Sequence, residues 1–326
     1  SFKNFFHFIT ARRQRKALLR TPLYRFSTNF LAFGFVHRIF IVICVGECYN
    51  DMQKNSALWI LRATDGCVSD LKYGIWTISS YEQEAATTLA SAGWSPITAA
   101  VLCSRGYDTP EKAQAFLSPD VPLSSPFDLL DMDKAVARVK RALERREHIC
   151  VFGDYDVDGI TATCLLTDFL RKCGGHVTSY IPARLEEGYG LNEIAVRALH
   201  EQNVKLIITV DCGITANQEA ALCRELGMEL VITDHHECKL ELPEAVAVVD
   251  PHRKEQPEPI LEMAGVGVAF KLAAALHGDQ EALLAEYCDL LCLGTVADVM
   301  PLTGENRKMV WQGLQALANP KRVGIA

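Results

Sequence analysis

Three carboxylates spaced two residues apart stand in the stretch Val151-Phe-Gly-Asp154-Tyr-Asp156-Val-Asp158-Gly159. The apolar run Ile149 to Phe152 precedes them, and an apolar, helix-like segment, Ile160 to Leu170, follows. Acids at the end of a buried strand are costly unless a cation sits among them. A fold that accepts this pattern must therefore carry the acids to an edge where a cation can reach them. The pattern recurs in Val210-Asp211-Cys-Gly213 and in Thr233-Asp234-His235-His236, each at the end of an apolar run.

Between these points the chain alternates strand and helix. Apolar runs predict strands at 149–153, 177–181, 205–210, 229–233 and 245–249. Helical periodicity falls near 160–172, 191–202, 215–226, 266–277 and 281–293. Continuous apolar strands separated by helices imply an α/β fold, with a parallel sheet covered by helices on both faces. Ligands of such sheets sit outside the carboxyl ends of the strands, which is where the acidic and histidine clusters fall.

Upstream, residues 71–148 read as a small helical region. Ser79-Ser80 are expected to cap the segment Tyr81–Ala92. Thr109 is expected to cap a helix with Pro110 at its first position. The Pro-rich loop Pro119 to Pro126 separates that helix from a longer one, Met132 to Glu147, with apolar spacing at Ala135, Val136, Val139 and Leu143.

Residues 1–70 differ from the rest. They carry ten basic and four acidic residues, whereas the remainder carries 23 and 36. A basic, aromatic stretch, Phe2 to Arg25, precedes the apolar run Phe30 to Gly46, which His37 and Arg38 interrupt. The run is shorter than the roughly 20 apolar residues of a membrane span, so no membrane association is expected. Residues 1–70 read as an atypical extension, not a native domain, with Leu71 as the expected natural start. Twelve cysteines lie scattered without a CxxC pair, the pattern of reduced thiols in a cytoplasmic protein.

Asp156 and Asp158 follow the first strand, Asp211 the third, and Asp234, His235 and His236 the fourth. Asp250-Pro251-His252 follows the fifth, and Asp298 comes after a helix. Singly, each has an ordinary reading as a helix cap or turn residue. Their recurrence at one edge of one sheet points to a metal site. Carboxylates with one or two imidazoles suit Mn²⁺ and accept Mg²⁺, Co²⁺ or Zn²⁺. No cysteine ligand is needed, and Cys212 is expected to pack beneath the strand end. The ligands exceed the needs of one ion, so two ions about 3.5–4 Å apart are expected, with Asp211 shared between them. Such a pair activates water and neutralises an attacked phosphoryl group, which is phosphoester hydrolysis.

At these residues the sequence resembles the DHH phosphoesterase superfamily, whose triad is Asp234-His235-His236 here. The closer resemblance is to the RecJ type of single-strand-specific DNA exonuclease. It rests on Gly153-Asp-Tyr-Asp-Val-Asp-Gly-Ile-Thr161-Ala-Thr163 and on Ser104-Arg-Gly106 through Asp131-Met-Asp-Lys134. It continues in Arg184-Leu-Glu-Glu-Gly188-Tyr-Gly-Leu191, Gly265-Val-Gly-Val-Ala-Phe270-Lys271 and Leu293-Gly-Thr-Val-Ala-Asp298 through Asn306-Arg307. It covers roughly residues 75–326.

The resemblance implies metal ligation by Asp156, Asp158, Asp211, His235 and Asp298. It implies catalytic roles for Asp154, for Asp234 as a group orienting an imidazole, and for His236 at the scissile phosphate. Arg184, Gly188, Tyr189 and Gly190 are candidate substrate contacts. The implied activity is 5′→3′ hydrolysis of single-stranded DNA in recombination and repair, with two Mn²⁺ or Mg²⁺ ions. Single-strand-binding protein and a helicase are the implied partners. The DHH-associated domain and OB-fold of RecJ-type enzymes do not follow Asp298 here, so residues 149–326 are expected to be the catalytic domain of a longer polypeptide. Two other readings stay open: a phosphodiesterase for short oligonucleotides or cyclic dinucleotides, and a non-catalytic scaffold.

Overall fold

The computed structural model describes residues 79–183, 186–239, 241–256 and 262–326, with the backbone of 30–31 and 43–44. These fall into two compact units, Ser1–Ser79 and Ser80–Ala326. In the first, Phe30–Leu31 pairs antiparallel with Ile43–Cys44. The rest of the Phe30–Gly46 run, the Phe2–Arg25 stretch and the expected start at Leu71 lie outside the described residues. No helix among the described residues is long and apolar enough to cross a membrane.

The second unit is built on five parallel strands: β1 (His148–Gly153), β2 (His176–Tyr180), β3 (Leu206–Val210), β4 (Glu229–Thr233) and β5 (Ala247–Val249). Their order is β2-β1-β3-β4-β5. Period-two alternation sends Ile149 and Val151 to one face and Cys150 and Phe152 to the other. The first pair joins a core with α4 (Met132–Arg145), α5 (Val157–Lys172), α8 (Gly265–His277) and α9 (Gln280–Ala297). The second pair packs against α6 (Glu193–Glu201) and α7 (Asn217–Glu225). Phe152 is fully buried, and its truncation to alanine is worth about 3–5 kcal/mol. Burial on both faces explains why these strands read as unbroken apolar runs.

Three short helices, α1 (Gln83–Ser91), α2 (Pro96–Ser104) and α3 (Pro110–Leu117), pack a separate small core around Leu89, Leu102 and Ala113. Thr109 caps α3 as expected, its hydroxyl accepting the Lys112 N–H at 3.2 Å. The Ser79-Ser80 cap does not form: α1 starts two residues later than expected, after Glu82 and without a side-chain cap. A further helix, α10 (Gly304–Leu317), packs against α9 and lies beyond the helices expected from periodicity.

The strand order reverses between β1 and β3. Crossovers leave in opposite directions there, opening a crevice at the carboxyl ends of these two strands. Asp154 to Asp158 follow β1 and Asp211 follows β3, so the topology brings the first two acidic clusters together.

Candidate metal centre

Each acid has a distinct local reason for its position. Asp156 caps α5, its Oδ1 accepting the Gly159 N–H at 2.9 Å. Asp158 lies inside the first turn of that helix, which begins at Val157 and not at the expected Ile160. Its oxygens accept the N–H groups of Gly265 at 2.6 Å and Val266 at 2.9 Å, the first two amides of α8. Those amides have no partner inside their own helix and carry its positive dipole end, so a carboxylate there is stabilised.

Asp211 leaves β3 with φ 60°, a left-handed conformation that only a few residue types accept. Position 265 must be glycine because a Cβ there would lie 2.5 Å from Asp211 Cβ. A Cβ at Gly294 on α9 would likewise meet Asp158 Oδ1 at 2.6 Å.

His235 is the meeting point. Its Nε2 lies 3.0 Å from Asp211 Oδ1, 3.7 Å from Asp298 Oδ2 and 3.8 Å from Asp158 Oδ2. Its carbonyl accepts Nδ1–H of His252 at 2.7 Å, and Asp250 Oδ1 accepts the His252 backbone N–H at 2.7 Å. Asp250 thus bonds the His252 backbone, while the His252 ring holds the His235 carbonyl.

Asp234 Oδ1 accepts the backbone N–H groups of His235 and His236 at 2.8 and 3.3 Å and His236 Nδ1–H at 2.7 Å. Its Oδ2 accepts the Ile214 N–H at 2.9 Å. The His236 ring is thereby oriented with Nε2 outward and its side chain half exposed. Tyr189, between Gly188 and Gly190, donates its hydroxyl to the Asp211 carbonyl at 3.3 Å and lies 3.3 Å from His236 Nε2. Arg184 lies outside the described residues. Cys212 is fully buried against the sheet, as expected, and offers no ligand.

Asp298 is the C-terminal cap of α9, which runs to Ala297, beyond the expected end at 293. The next residue, Val299, has φ 58°. The Val299 and Met300 N–H groups bond back to Val296 and Thr295, a helix-terminating turn that ordinarily uses glycine at this position. A β-branched residue there is strained, by about 1–2 kcal/mol.

Among the described residues, three overlapping groups of donor atoms result, each within 4.8 Å: Asp154, Asp156 and Asp211; Asp211, His235 and His236; Asp158, His235 and Asp298. The electrostatics match a cation site. Burial and the neighbouring Asp211 charge push Asp158 up to about 7. Burial and Asp156 push Asp211 up to about 9, and burial raises Asp298. Burial also opposes ionisation of Asp234, yet His236 and the backbone amides around it hold this carboxyl below the usual range. The Asp234 hydrogen bond lifts His236 to about 9 despite its partial burial.

Asp211 Oδ1 is buried and receives no hydrogen bond, because His235 Nε2 faces it at 3.0 Å without donor alignment. A buried carboxylate oxygen without a donor costs a large desolvation penalty, which a divalent cation removes. The donor set, oxygens with one or two imidazoles, fits Mn²⁺ or Mg²⁺.

The N-terminal domain of the DHH family matches residues 148–295. The single-stranded-DNA-specific exonuclease RecJ of Bacillus subtilis (strain 168) is 43% identical over 252 residues, covering 77% of this chain and 32% of that protein. RecJ of Escherichia coli (strain K12) is 35% identical over 244 residues, covering 71% and 42%. The chain thus spans less than half the length of these relatives. Among solved structures, RecJ from Thermus thermophilus in complex with Mn²⁺ superposes with a TM-score of 0.62 at 33% identity, over 76% of this chain and 35% of that one. A second structure, exonuclease RecJ bound to manganese, has a TM-score of 0.57 at 39% identity, over 63% and 52%. Residues 148–295 thus match the N-terminal domain of the DHH family, and over 77% of its length the chain is similar to RecJ-type exonucleases.

Proposed function

We propose that this chain supplies the cation-binding catalytic domain of a 5′→3′ exonuclease that hydrolyses phosphodiester bonds of single-stranded DNA. The single observation that carries the reading is the crowding of Asp158, Asp211 and Asp298 around His235, with no lysine or arginine ion pair to these acids among the described residues. The names of the relatives support the choice of substrate, and the manganese in two of the solved structures supports the choice of ion.

Asp156, Asp158, Asp211, His235 and Asp298 hold the ions. Asp211 and His235 each belong to two of the three donor groups, which favours two ions over one. When bound, the ions activate water and neutralise phosphoryl charge. The protein's own groups complete the site. Asp154 supports the first donor group. Asp234 fixes the His236 ring, and the outward Nε2 of His236 donates to a phosphate oxygen as its charge grows. Tyr189, with Gly188 and Gly190, borders the same side, and these residues with Arg184 are the proposed substrate contacts.

The chain is read in three parts: an extension to residue 70, a helical region at 71–148 and a catalytic domain at 149–326. A cytoplasmic enzyme working beside single-strand-binding protein and a helicase in recombination and repair is the matching cellular setting.

Single strands labelled at the 5′ or the 3′ end, with Mn²⁺ present, test the reading. Mononucleotide release from the 5′ end is expected, with loss in Asp156→Ala. Cleavage that survives Asp156→Ala unchanged would falsify it. Activity confined to dinucleotides would favour the short-oligonucleotide phosphodiesterase instead.

A further inference from the structure

We propose that Asn306 is a positioning residue that fastens two segments behind the site and so sets Asp298 and Asp158 together. The proposal rests on the reading of those aspartates as cation ligands. Asn306 lies in the first turn of α10 and is 1% exposed. Its Nδ2 donates to two carbonyls from different segments, Glu262 O at 2.6 Å and Pro301 O at 3.1 Å. Two acceptors fix which end of the amide faces them. Its Oδ1 receives no hydrogen bond, so what this buried amide contributes is its pair of donors.

Both carbonyls are close in sequence to the site. Glu262 stands three residues before Gly265, whose N–H grips Asp158. Pro301 stands three residues after Asp298, the C-terminal cap of α9. One side chain thus joins the approach to α8 and the exit from α9, the two elements that place one ligand oxygen each beside His235. The α9 exit needs an outside hold. It runs through Val299, a β-branched residue at φ 58°, and a strained turn relaxes unless its surroundings over-determine it. The bond to Pro301 supplies that restraint, and the bond to Glu262 anchors it to the segment that grips Asp158. A leucine at 306 would fill the volume and remove both donors, so the Glu262 carbonyl would lose its Asn306 partner and the Pro301 carbonyl would keep only the local Thr303 N–H at 3.0 Å.

Mn²⁺ dissociation constants measured by calorimetry on the whole chain, with thermal unfolding in parallel, test this. Asn306→Ala is expected to weaken Mn²⁺ binding about tenfold, as loss of a group supporting metal ligands does. Adding Val299→Gly to that variant is expected to recover part of the loss, because glycine accepts positive φ and the turn then holds unaided. If Asn306→Ala unfolds, Asn306→Ser replaces it, with a smaller loss of the same sign expected. A lowered melting temperature with Mn²⁺ affinity within twofold of the parent overturns the role of Asn306 and leaves the cation site standing. A parent chain that binds no Mn²⁺ overturns both.

Discussion

Two buried charge clusters in this molecule are resolved in opposite ways. Behind the sheet, Lys271 and Glu305 are 1% and 5% exposed and form an ion pair at 2.7 Å. Lys271 Nζ also donates to the Ser124 carbonyl at 2.8 Å and to its hydroxyl at 3.0 Å, and Glu305 Oε1 accepts the Ser124 hydroxyl at 2.7 Å. Every charge there has an opposite partner and the hydrogen bonds to go with it. At the carboxyl edge, Asp158 and Asp211 are as deeply buried, yet the groups beside them are further carboxylates and imidazoles. The fold can neutralise buried charge from its own residues. Where it does not, the remaining charge marks a place for something from solution.

The comparison can be broken by experiment. The largest expected effect is at the self-contained pair. Lys271→Met strands Glu305 and is expected to cost about 3–5 kcal/mol, read as a fall in urea midpoint. Combining it with Glu305→Leu should restore most of that loss. If Lys271→Met is neutral, the pair is not the compensated network its geometry describes.

Next comes cation binding at the edge. Mn²⁺ at 100 times its dissociation constant is expected to stabilise the chain by about 2.7 kcal/mol, and chelation with EDTA should reverse this. Asp211→Asn should abolish the response. A Mn²⁺ shift that persists in Asp211→Asn places the ion elsewhere.

Without metal the sign reverses. Burial and neighbouring acids hold the Asp211 carboxyl at about 9, so folding without metal carries the cost of keeping it protonated at neutral pH; Asp211→Asn removes that cost and is expected to raise stability by about 1 kcal/mol. Loss of stability in the metal-free variant would mean that this carboxylate is already compensated. The smallest effect is a control far from both clusters. Thr109→Ala removes the α3 cap and is expected to cost about 1 kcal/mol, with Mn²⁺ affinity unchanged.

Much of the fold was legible because its signals are local. The expected strands at 177–181 and 205–210 fall within one residue of His176–Tyr180 and Leu206–Val210. Helix boundaries were less legible where the site interferes. With the helix expected from Ile160, Asp156 and Asp158 read as cap or turn acids ahead of it; Asp156 does cap α5, but the helix starts at Val157 and takes Asp158 into its first turn. Gly294 reads as a place to stop a helix, but α9 continues through it because only glycine lets that helix pass Asp158. The Gly265 amides and Asn306 carried no signal beyond their place in quoted motifs, since each acts through contacts with distant segments.

Sequence alone determined which residue types gather at one edge of a parallel sheet. Apolar periodicity sets strands and helices, and the acids and histidines stand where the strands end. Tertiary structure decided how those groups are held. Asp158 is gripped by amides 107 and 108 residues away, His235 faces three carboxylates from three segments, and a strained turn carries Asp298. The physical reason is that burial and periodicity are written into neighbouring residues, while charge compensation depends on distances between segments that only the folded chain brings together.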